Sequence, residues 1–188
     1  MTLMLTGFGS LCVSIAWQAR LGLADALIAR GIKVWTPGIW PHSMQSWGGP
    51  RAVAAFRAAV HVPYAPTTFA LYEHAVAGLL TFIPSASLLV SLYEKRNLFF
   101  QATQHDFVTT GHSAPNLATV LAATEWYAPE NAPCFVYFDS LDDLDTKLRA
   151  TDYGAQQDAL RAWATEHINT TLARWRMLDR ALLREDGL

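Results

Sequence analysis

Short apolar runs alternate with longer stretches of helical periodicity along the chain. Thr2–Thr6, Ile32–Trp35, Ala59–Val62, Leu79–Ile83 and Cys134–Phe138 have strand length. Their near-continuous apolar character predicts strands buried on both faces. Between them, Ile15, Ala19, Leu23, Ala26 and Leu27 recur on one side of a predicted helix ended by Gly31. Pro63 closes the third strand because it lacks the N–H a ladder needs. Pro66 then sets up Thr67 or Thr68 as N-cap of a helix running to Gly78. Phe69, Tyr72, Val76 and Leu79 fall at helical spacing, so that face is expected to be buried.

Ser85 caps a further predicted helix carrying Leu88, Leu89, Leu92 and Tyr93, with Glu94-Lys95-Arg96 at its end. Arg51–Ala59 and Asn116–Glu125 read as short helices, and Trp126–Asn131 as a loop. Asp139-Ser140 caps a helix from Leu141. The last segment, Ala155 to Arg184, reads as one amphipathic helix with Leu160, Trp163, His167 or Ile168, Leu172, Trp175, Leu178 and Leu182 in a stripe. The predicted fold is therefore α/β: an open, mostly parallel, Rossmann-like sheet with helices on both faces, ending in a long C-terminal helix. Residues 36–50, rich in Gly and Pro with Trp40 and Trp47, form a long apolar loop.

Composition narrows the picture. At 188 residues, 1–188 is read as a single domain, and 52% hydrophobic against 16% charged residues describes a well-buried chain. A net charge of −2 with scattered basic residues leaves no footprint for nucleic acid. Leu3–Trp17 is interrupted by Thr, Ser and Gly, lacks a basic flank and is too short to span a bilayer. Cys12 and Cys134 have no metal-ligand spacing and read as free thiols, which fits a cytoplasmic location. Asp142, Asp143 and Asp145 stand where a helix start favours negative charge, so no metal site and no cofactor are expected. Asn169-Thr-Thr matches a glycosylation sequon but falls inside the terminal helix, so it is discounted.

Candidate chemistry gathers after the first and third strands. Gly7 and Gly9 permit close backbone approach to a ligand, although Cys12 stands where a dinucleotide fingerprint has its third glycine. The helix start near Thr67, Thr68 and Phe69 is a natural anion site, its free N–H groups and dipole favouring phosphate. Glu73 is a single carboxylate in an otherwise apolar helix. His61 and His74 read as structural histidines, and Gly111-His112-Ser113 lacks the second glycine of a nucleophile elbow.

The stretch Pro63-Tyr64, Thr67-Thr68, Glu73 and Phe82-Ile83-Pro84-Ser85 resembles the C-terminal, donor-binding half of GT-B-type glycosyltransferases, of the exostosin-like or large-virus uncharacterised kind. Trp126-Tyr127, Phe135–Ser140, Leu141–Leu144 and the terminal helix match the same pattern, so the resemblance covers roughly residues 55 to 180. It implies a nucleotide-sugar site: Glu73 on the ribose hydroxyls, Thr67, Thr68 and the Phe69 amide on the diphosphate, and Tyr64 near the base or sugar. Ala65 stands where the paired-carboxylate form of the motif has its second acid. The length matches only the donor half, and no catalytic base is named. The implied function is the nucleotide-sugar-binding domain of a glycosyltransferase acting with an acceptor domain or partner. The alternative is a non-catalytic nucleotide-binding or partner-docking module. A second domain, a partner chain or a homodimer is expected to dock on loop 36–50 and the C-terminal helix.

Overall fold

The computed structural model describes residues 2–6, 22–35, 56–63, 69–96, 117–122 and 124–185. Among the described residues five parallel strands form one sheet: β1 (Thr2–Thr6), β2 (Lys33–Trp35), β3 (Ala58–His61), β4 (Leu80–Pro84) and β5 (Phe135–Phe138), in the order β2-β1-β3-β4-β5. The register pairs Thr6 with His61, Val60 with Phe82 and Ile83 with Tyr137. β3 and β4 are buried along their whole length, as the apolar runs require of strands covered on both sides.

Alternation along the strands builds two different layers. Ala58, Val60, Leu80, Phe82 and Phe138 face one side, under α1 (Leu23–Ala29) and α5 (Leu141–Ala150), which supply Leu27, Leu144 and Leu148. Ile83 and Phe135 face the other, under α2 (Phe69–Ala77) and α6 (Tyr153–Glu185), which supply Leu71, Ala75, Leu160 and Ala164. α3 (Ala86–Arg96) and α4 (Leu117–Ala122) meet through Leu89 and Leu121. α6 passes from the first layer to the second, since Tyr153 belongs to one cluster and Leu160 to the other. It then runs antiparallel to α2: Arg161 lies over Gly78 at the end of α2, and His167 stacks on Tyr72 near its start.

The two described helices that turn directly into a strand, α1 and α2, end alike. Gly31 (φ 77) closes α1 with Gly31 N–H to Ile28 and Ile32 N–H to Leu27. Gly78 (φ 71) closes α2 with the equivalent bonds to Ala75 and His74. The left-handed residue lets the last carbonyls be satisfied while the chain turns into β2 or β4. At α5 the Ser140 Oγ accepts from Asp143 N–H, the predicted cap.

Four expectations are corrected. Ala58 belongs to β3 together with the expected Ala59, so no helix runs over 51–59 to its end; the parallel ladder to β1 and β4 claims both residues. α1 begins only at Leu23, after Gly22 takes φ 58, so the helix does not run unbroken from Ile15. α2 is rotated from its expected face: Leu71, His74, Ala75 and Gly78 are buried, whereas Val76 is 56% exposed. Small Ala75 and Gly78 on the inner face allow α6 to approach closely. The stripe on α6 is buried only as far as Ala164; Ile168, Leu172, Trp175, Leu178 and Leu182 are exposed, Trp175 by 66%. Trp126 lies in an irregular stretch, as expected, and its side chain is fully buried, stacked at 4.6 Å on His61.

Candidate functional site

Parallel strands bring β1 and β3 to a common carboxyl edge, with Thr6 opposite His61. Gly7 and Gly9 follow the first strand and Tyr64, Thr67 and Thr68 the second; all five lie outside the described residues, as does loop 36–50. Phe69 is the first residue of α2, so its backbone is among the N–H groups with no partner inside the helix. Glu73 lies four residues further, about 6 Å down the axis, and is half-buried. Also at this edge, Leu23, Val62, Leu88, Leu92, Phe138 and Leu141 enclose an apolar recess of about 130 Å³ beside the Ser140 cap. Glu73 does not line it.

The layer beneath α2 and α6 holds most of the buried polar groups. His74 Nδ1 lies 3.2 Å from Thr81 Oγ1, and the Thr81 hydroxyl donates to the Leu79 carbonyl at 3.4 Å. With that proton committed, His74 Nδ1–H donates to Thr81 and Nε2 is left as a buried acceptor with no partner among the described residues. Burial pulls the His74 pKa down to about 4. The Tyr127 hydroxyl donates to the Pro84 carbonyl and the Tyr137 hydroxyl to the Trp126 carbonyl, which fastens residues 126–127 across the ends of β4 and β5. Burial holds both phenols above their ordinary value and pushes the Cys134 thiol up to about 12, so Cys134 is an inert core thiol.

A second recess, about 420 Å³, opens between α2, α6 and the segment leading into β5. Tyr72, Glu125, Asn131 and His167 converge on it, and none was singled out for ligand binding on sequence grounds. The local signals were slight. Trp163 and His167 sit four apart on one helix and stack at 4.9 Å, while Asn131 is followed by Pro133 in an irregular stretch.

Among the described residues no group of three or more His, Cys, Asp or Glu side chains is arranged for a metal ion. Asp142, Asp143 and Asp145 instead pair with Arg30, Lys147 and Arg149 at 2.8, 2.8 and 2.9 Å. Among the described residues no helix is long and apolar enough to cross a membrane. No family model, curated protein or solved structure matches the chain.

Proposed function

We propose that the chain is the nucleotide-sugar-binding domain of a glycosyltransferase, moving a sugar from a nucleotide-diphosphate donor to an acceptor held by another domain or chain. One observation carries the reading: the two segments singled out in sequence, after β1 and after β3, leave from neighbouring strand ends. The strand order β2-β1-β3-β4-β5 reverses direction between β1 and β3. Open parallel sheets of Rossmann-like type take their ligands in the crevice outside such a point. The free N–H groups at the start of α2 then suit the diphosphate, and they would stabilise it as a leaving group. Glu73, one turn further, has the two acceptor oxygens that a ribose diol needs. The apolar recess of about 130 Å³ at the same edge offers room for a planar or aliphatic part of the donor. Resemblance of Pro63-Tyr64, Thr67-Thr68 and Glu73 to the GT-B donor motif supports the choice of a nucleotide sugar over other anions.

A second reading, a docking module without catalysis, draws on the exposed face of α6. Ile168, Trp175, Leu178 and Leu182 continue the face that buries Leu160 and Ala164. Thermal-shift titration with UDP-, GDP- and ADP-linked sugars and the free nucleotides separates the two. A donor at about one hundred times its Kd stabilises by about 2.7 kcal/mol, and Glu73→Ala should abolish that shift. A chain indifferent to every nucleotide is the docking module. Donor turnover by the chain alone distinguishes enzyme from binding domain.

A further inference from the structure

The far half of α6 presents an apolar face to solvent. Ile168, Leu172, Trp175, Leu178 and Leu182 are each 44–66% exposed. At about 3.6 residues per turn they fall within an arc of about 120°, which also holds Thr171 and Asp179. Arg174, Arg176 and Arg180 lie outside it. Leu160 and Ala164, buried on the domain, belong to the same arc, so the exposed face continues the one that packs. Contiguous exposed apolar surface of this kind marks an interface. The positions in the arc are symmetric about Trp175. Leu172 and Leu178 stand three residues to either side, Thr171 and Asp179 four, and Ile168 and Leu182 seven. Steps of three and four are those of a seam between two helices crossing at a shallow angle.

A face symmetric about one residue is met best by itself, turned end for end. With Trp175 at the centre of an antiparallel pair, Ile168 falls level with Leu182 of the second copy, and Leu172 with Leu178 of the second copy. Each contact is then made twice, as a closed two-fold interface requires. Trp175 meets its own counterpart, which sets a large aromatic anchor at the middle. Asp179, the one charge inside the arc, falls level with Thr171 of the second copy, whereas parallel pairing would set two Asp179 carboxylates in one layer. A membrane surface would attract the arginines, but it would also draw Asp179, which stands between Ile168 and Leu172 around the arc, into the acyl boundary. A foreign protein places no symmetry on the face it meets. Five such side chains from each copy cover about 1,000 Å² together, the size at which a specific interface begins. We propose that the exposed half of α6 pairs with the same segment of a second copy of this chain, antiparallel, with the two-fold axis at Trp175. This names the occupant of the face on which the docking reading draws. It does not rest on nucleotide binding, since no residue of the face belongs to the carboxyl-edge constellation.

Sedimentation equilibrium of the whole chain across the micromolar range, where an interface of this size associates, tests the pairing. The mass should rise with concentration from one chain to two. Trp175→Glu, at an exposed position, sets two carboxylates on the axis and should weaken association by about a hundredfold or more. Leu172→Glu alone should weaken it as well. Adding Leu178→Lys to that variant should restore most of the loss, because only the antiparallel register sets each introduced acid level with an introduced base. A chain that stays monomeric, a dimer indifferent to Trp175→Glu, or a double variant no better than Leu172→Glu would each overturn the proposal. For a monomeric chain, flotation with phosphatidylserine vesicles assigns the face to a lipid surface, and failure to float leaves it to a foreign protein. None of these results depends on the nucleotide titration, so failure of the pairing and failure of the nucleotide reading are told apart.

Discussion

The two layers of the sheet are made by the same strands and differ in kind. Under α1 and α5 the core is hydrocarbon, and its phenol, Tyr153, donates to the Leu148 carbonyl at 2.7 Å. Under α2 and α6 the same strands bury His61 and Thr81 and half-bury Tyr137, beside His74, Asn131 and Cys134. An apolar layer is stabilised by area and shape alone. A polar one holds only if each group finds a partner, because an unpaired buried group costs about 1–3 kcal/mol. The first layer thus defines the fold, and the second is where the molecule departs from the cheapest core available to it.

The sharpest contrast is between volume and charge. Phe82, fully buried in the apolar layer, should cost about 3–5 kcal/mol when cut to alanine. Denaturant unfolding should return the same loss at neutral and mildly acidic pH, because the cluster's one titratable side chain, Tyr153, is pushed up to about 12 by burial; a loss below about 1 kcal/mol would deny it the status of close-packed core. The polar layer should answer to pH instead. His74 is held near 4 when folded and lies at 6.5 when unfolded, so the unfolded chain takes the proton first. Stability is therefore complete above the unfolded value and falls as pH drops towards the folded one, by about 2 kcal/mol between about pH 7 and about pH 5. His74→Gln, which can still meet Thr81, should flatten that slope; an unchanged slope would remove His74 as its source.

The helix ends offer a finer comparison. Alanine at Gly31 meets open space and should cost only the left-handed conformation, about 1–2 kcal/mol. At Gly78 a new Cβ would also lie 2.6–2.8 Å from the Arg161 guanidinium. Gly78→Ala should exceed Gly31→Ala, and the excess should vanish in an Arg161→Ala background. Smallest of the four, Ser140→Ala should lose about 1 kcal/mol of cap stabilisation on α5, measured by thermal unfolding.

Punctuation made much of this architecture legible. Gly31, Gly78, Pro63 and Ser140 each mark an element boundary within a residue or two of where it falls. Rotation about a helix axis was less legible. α2 is apolar nearly all round, from Leu71 to Ala77, so periodicity could not choose its inner face; contact with α6 chose it. The carboxyl edge was legible as two separate segments, whereas their adjacency needed the parallel register of Thr6 and His61. Tyr72, Asn131 and His167 meet only through tertiary packing, and no local spacing announces a recess assembled from three distant segments.

α6 is one helix by geometry, 33 residues and about 50 Å long. It is two zones by thermodynamics. Its first three turns bury Tyr153, Leu160 and Ala164, so their amides are released to solvent only when the body of the domain opens. From Ile168 to Leu182 every side chain but the half-buried Thr171 is exposed, and in a single copy the helix rests there on intrinsic propensity, which is marginal for a segment of this length in water. The far half should therefore exchange its amide hydrogens by fraying, orders of magnitude faster than the near half, with the boundary falling close to His167.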